Sequence, residues 1–72
     1  MLEVSKTELV VCAYLTAGYN VGEISSKLFR SIYTVKAHVA NIRKKNSLKN
    51  IAEISREYTL EYGHPDEFID NL

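Results

Sequence analysis

The chain of 72 residues is 46% hydrophobic and 25% charged, with one Pro and three Gly, the composition of one small globular domain rather than of a disordered or fibrous chain. Its longest wholly apolar run, Leu9 to Leu15, is far short of the roughly 20 residues of a membrane helix, and its N-terminus has no secretory signal pattern, so no membrane and a cytoplasmic location are expected. The formal net charge of zero conceals a split: residues 1–50 hold eight Lys and Arg against three Glu, and residues 51–72 hold one Arg against six Asp and Glu.

Helix signals run through the whole chain, with no strand alternation. Ser5-Lys6-Thr7-Glu8 fits a capping box, in which hydroxyl and carboxylate satisfy the free amides of a helix start, and the first helix runs to about Ala17 before Gly18. Its apolar residues Leu9, Val10, Ala13 and Tyr14 lie nearly all round it, which requires a cover. Asn20-Val21-Gly22-Glu23 repeats the start signal and opens a short second helix ending near Phe29. Ser31 caps a third helix running to about Lys45, and Asn50 caps a fourth from Ile51 to about Tyr62, broken by Gly63-His64-Pro65. The expected fold is all-α, with a four-helix domain over residues 1–62. An acidic tail over residues 63–72 carries Phe68, Ile69 and Leu72 and is expected to pack on or near the first helix.

The middle of the chain bears on function. Two helices joined by about three residues, the second lying in a window from Ile24 to Ala52 that has no carboxylate, describe a helix-turn-helix whose second helix enters a DNA major groove. At about 100° per residue, Val35, Val39 and Ile42 fall on one side of the third helix and face the core. Tyr33, Lys36, Ala37, Ala40, Asn41 and Lys44 fall on the other. Lys suits guanine, Asn suits adenine, and Ala approaches a thymine methyl. Asn46 projects on the core side by the same count, where its amide either loosens the helix end or caps the chain.

From Val4 to about Ile54 the sequence resembles the LuxR-type (GerE) DNA-binding domain. The resemblance rests on Val4-Ser5, Gly18, Asn20, Glu23-Ile24, Leu28, Ser31, Thr34-Val35-Lys36 and His38, continued by Asn41-Ile42, Lys45, Leu48 and Glu53. Thr-Val-Lys-x-His is its most specific element. The resemblance implies a four-helix domain that binds double-stranded operator DNA as a dimer and regulates transcription; from the chain's length it is expected to stand alone, without the receiver or sensor usually joined to it. It supports Lys36, Ala37 and Ala40 facing bases, with Lys44 and Lys45 near the backbone. Arg43 and Lys49 add to the phosphate-directed charge, while Ser31 and Thr34 are candidate phosphate donors, Ser31 otherwise serving as a cap. Ser25, Arg30, Asn46, Ser47 and Val10 depart from the family pattern, which has Leu at position 46 and Gly at position 47.

On the fourth helix, Ile51, Ile54 and Tyr58 make one stripe that seals the core, leaving Ala52, Ser55, Thr59 and Tyr62 for a homodimer contact. Catalysis is not expected: there is no Gly-rich phosphate loop, no His-Glu-x-x-His and no Cys or His cluster at metal spacing, so no catalytic residue, metal or cofactor is assigned. The lone Cys12 is expected to be a small buried apolar side chain, and His38 a packed imidazole at the core border. The alternative function is a protein-interaction module that keeps the helix-turn-helix fold but modulates another regulator or RNA polymerase, with the first helix and the acidic tail as the contact.

Overall fold

The computed structural model describes residues 1–65. These form four α-helices and no strand: α1 (Lys6–Thr16), α2 (Val21–Leu28), α3 (Ile32–Asn46) and α4 (Ile51–Tyr62). Each start lies where the capping signals put it. Ser5 Oγ accepts from the Glu8 amide at 3.2 Å while Glu8 Oε1 accepts from the Ser5 amide at 2.8 Å. Asn20 and Glu23 close the same reciprocal pair at 2.8 and 2.9 Å. At α4 the pair is displaced by one residue: Asn50 Oδ1 accepts from the Glu53 amide, but Glu53 Oε1 accepts from Lys49.

Three helices end in one way. The chain turns through a residue at positive φ, and the next amide reaches back five residues to a carbonyl of the last turn. Tyr19 N donates to Tyr14 O at 3.0 Å, Arg30 N to Ser25 O at 3.0 Å, and Leu48 N to Arg43 O at 2.8 Å. The residues at positive φ are Gly18, Phe29 and Ser47. Only the first is a glycine, the residue without a Cβ penalty there.

α1 is the hub, packing on each of the other three helices, and its residues 11–15 are all buried. Its apolar character on several sides is matched by its packing on α2, α3 and α4. Tyr14 is buried with its ring 5.1 Å from that of Tyr19, and only Leu9 and Val10 remain half-buried. Ile24 of α2, Val35, Val39 and Ile42 of α3, and Ile54 and Tyr58 of α4 complete the core. Each large aliphatic in it contributes roughly 1.5–3 kcal/mol by removal from water. Ile51 is the exception to the predicted stripe: it is 43% exposed, and the core face of α4 is Ile54 and Tyr58. The expected docking of Phe68, Ile69 and Leu72 lies outside the described residues.

The N-terminal segment is strapped across the ends of α3 and α4. Asn46 Oδ1 accepts from the Glu3 amide at 2.7 Å, and Asn46 Nδ2 donates to Glu3 O at 3.1 Å and Ile42 O at 2.8 Å. Leu2 is buried, and its amide donates to Glu61 Oε2 at 3.2 Å. Of the two roles open to Asn46, the cap is the one observed.

Candidate nucleic-acid interface

α3 is divided lengthwise. Val35, Val39 and Ile42 are buried, His38 is half-buried at the border, and Tyr33, Thr34, Lys36, Ala37, Ala40, Asn41, Arg43, Lys44 and Lys45 are exposed. The structure thus brings the predicted base-facing residues onto one continuous surface. Tyr33 stands out at its N-terminal end at 80% exposure. Towards the C-terminal end Ala40, Asn41, Arg43 and Lys44, with Ser47 and Leu48, line a shallow concavity of about 420 Å³. Arg43, Lys44 and Lys45 also sit in the last turn, where cations complement the exposed carbonyl end of the helix.

The predicted phosphate-directed residues differ in how free they are. Ser31 is the N-cap: its Oγ accepts from the Thr34 amide at 3.1 Å and lies 3.0 Å from Thr34 Oγ1, so the two hydroxyls face each other at the head of α3. Lys49 is exposed, and only its backbone amide is engaged, by Glu53. Lys45 is different. Its Nζ lies 2.5 Å from Glu8 Oε1 and ties the end of α3 to the start of α1.

Glu8 is the one buried charged residue among those described. Burial pushes its carboxyl pKa up, but the Lys45 ammonium and the Ser5 amide and hydroxyl outweigh that and hold it below its ordinary value. Burial also pushes the Cys12 thiol up to about 11, with the Glu8 charge adding to the effect, so Cys12 is a neutral core side chain. Among the described residues no group of three His, Cys, Asp or Glu is placed to hold a metal ion, and no helix is long and apolar enough to cross a membrane.

On α4, Ala52, Thr59 and Tyr62 are exposed and Ser55 is half-buried. At about 100° per residue, Ile51 and Tyr62 fall within one narrow arc with Ser55, Thr59 and Ala52 beside them, so the misplaced Ile51 joins the predicted partner stripe. The Tyr62 ring lies 5.0 Å from that of the buried Tyr58. Phe29, by contrast, belongs to no predicted site. It is 91% exposed in the turn before α3, and the sequence signal for it is a large aromatic between the end of the second helix and the Ser31 cap.

Residues 3–58 match the family described as bacterial regulatory proteins, luxR family. The Oxygen regulatory protein NreC of Staphylococcus carnosus (strain TM300) is 42% identical over 57 residues, which make up 79% of this chain and 26% of that relative. The proteins of the same name from Staphylococcus aureus strains JH9 and Mu3 match to the same extent. The chain thus spans 26% of the length of these curated relatives. No solved structure matches it.

Proposed function

Because the chain belongs to the luxR family of bacterial regulatory proteins, we propose that it is a DNA-binding transcription regulator, acting in the cytoplasm, whose α3 enters the major groove. The observation that carries this reading is the division of α3: one side is sealed into the core, while the other presents Lys36, Arg43 and Lys44 with no carboxylate anywhere between Ile24 and Ala52. Tyr33, Lys36, Ala37, Ala40 and Asn41 face the bases. Ser31, Thr34, Arg43, Lys44 and Lys49 meet the flanking phosphates, which fix register without reading sequence. Small side chains at positions 37 and 40 allow close approach and leave part of the specificity to DNA shape. Lys45 acts first within the fold, through Glu8. Two copies related by a two-fold axis bring two such helices to successive half-sites through the α4 arc of Ala52, Ser55, Thr59 and Tyr62.

Titration of promoter and random duplexes across salt concentrations tests the reading. Affinity is expected to fall steeply with salt as lysines displace condensed counterions. Lys36→Ala costs about 1–3 kcal/mol at a preferred site if the lysine reads a base, and weakens all sequences alike if it meets a phosphate. Absence of binding to any duplex at low salt would overturn the proposal in favour of a protein-interaction module.

A further inference from the structure

Of the five tyrosines in the chain, four pair ring to ring: Tyr14 with Tyr19 at 5.1 Å and Tyr58 with Tyr62 at 5.0 Å. The fifth, Tyr33, is 80% exposed and has no ring partner among the described residues. Left in water, it forgoes the burial that an aromatic side chain otherwise contributes.

Its place on α3 supplies a use for the ring. Counted at about 100° per residue, Tyr33, Ala37 and Ala40 fall within an arc of about 60° opposite the buried Val35, Val39 and Ile42. All three are exposed. This is the line of the helix farthest from the core, and so the line that reaches deepest into a groove. Lys36 falls about 60° to one side of Tyr33 and Asn41 about 80° to the other. The long hydrogen-bonding side chains therefore flank the line, and over its first two turns the line itself is apolar apart from the phenol hydroxyl. Recognition helices present their N-terminal residues to base edges, and Tyr33 stands in the first turn.

We infer that Tyr33 sets the sequence preference of the domain by packing its ring on the 5-methyl group of a thymine, with Ala37 and Ala40 continuing the apolar line. The preferred half-site is then read at its centre through methyl contact and at its flanks through hydrogen bonds. The inference rests on α3 entering the major groove, as proposed above. Duplex DNA is the occupant that fits by charge, since Lys36, Arg43 and Lys44 share this face and the first turn of α3 holds no acidic residue. Within the major groove, the thymine methyl is the apolar feature that tells one base pair from another.

The test uses the full chain and a pool of duplexes with a randomised core. Selection is expected to enrich half-sites containing thymine. In the enriched duplex each thymine is then replaced in turn by uracil, which lacks only the 5-methyl and keeps every hydrogen-bonding group. At one or more positions uracil is expected to weaken binding about fourfold, the worth of one buried methyl. Tyr33→Ala should bind the thymine and uracil duplexes alike at such a position, and Tyr33→Phe should restore the difference. Thermal unfolding of both variants checks that the fold is retained. No binding to any duplex would overturn the DNA reading and this inference with it. Binding with no enriched thymine, or with equal affinity for thymine and uracil throughout, would overturn the inference alone. So would a uracil effect that persists in Tyr33→Ala, or a Tyr33→Phe variant weakened on all sequences alike, which would make the hydroxyl a phosphate donor.

Discussion

Ser47 occupies the same left-handed turn as Phe29, at φ 55, immediately after α3. A Cβ is costly there, and glycine removes the cost while adding freedom to the unfolded chain. Ser47→Gly is therefore expected to stabilise the domain by about 0.5–1 kcal/mol, read as an upward shift of the denaturation midpoint at constant slope. The family pattern with Gly at this position marked Ser47 as a departure, but its backbone conformation could be read only from the structure. Asn46 was legible in part: the helical count placed it on the core side, and the structure supplies the reason, since its amide satisfies both backbone polar groups of Glu3. The angular count failed at Ile51, at the edge of the α4 core arc in the first turn of the helix, where a difference of a few tens of degrees decides between core and solvent.

At the scale of the helices, starts and stops were written locally, so the sequence placed all four. Ser5, Asn20, Ser31 and Asn50 each accept from the amide three residues on, and such short-range chemistry survives any tertiary arrangement. What ties one helix to another was not legible, because Glu8 and Lys45 stand 37 residues apart. Their pairing has a pH signature. Glu8 binds a proton less readily in the folded chain than at its ordinary value of 4.5, so the unfolded chain takes up more protons and stability rises with pH through that range. The contribution is complete above about 4.5 and is lost as pH falls through the lowered folded value. Glu8→Gln is expected to flatten this acid limb and, by weakening both the cap and the ion pair, to cost about 1–2 kcal/mol at neutral pH. Urea unfolding between pH 3 and 7 checks it, and an unchanged acid limb would show that Glu8 does not hold the α1–α3 junction.

Across the whole molecule the charge split acquires a geometry. Four of the eight cations of the first fifty residues, Lys36, Arg43, Lys44 and Lys45, lie on α3, while the carboxylates of α4 are distributed: Glu53 joins the cap, Glu61 holds the Leu2 amide, and the proposed dimer arc of Ala52, Ser55, Thr59 and Tyr62 contains no charge. An uncharged arc of small side chains ending in an aromatic suits a second α4 approaching across a two-fold axis. Ile51, turned out of the core, extends it with apolar surface. The contact available is small, below about 1,200 Å² in total, so a weak dimer consolidated by DNA is expected. Ala52→Glu places two like charges at the axis of such a pair. Because Ala52 is exposed, the substitution should change monomer stability by no more than about 0.5 kcal/mol and leave helical content intact. Its expected effect is confined to association: self-association in sedimentation at high concentration disappears, and binding to a two-half-site duplex loses its cooperativity while single half-sites bind as before. Cooperative binding that survives Ala52→Glu would move the dimer contact away from α4, and a stoichiometry of one chain per operator would remove it altogether.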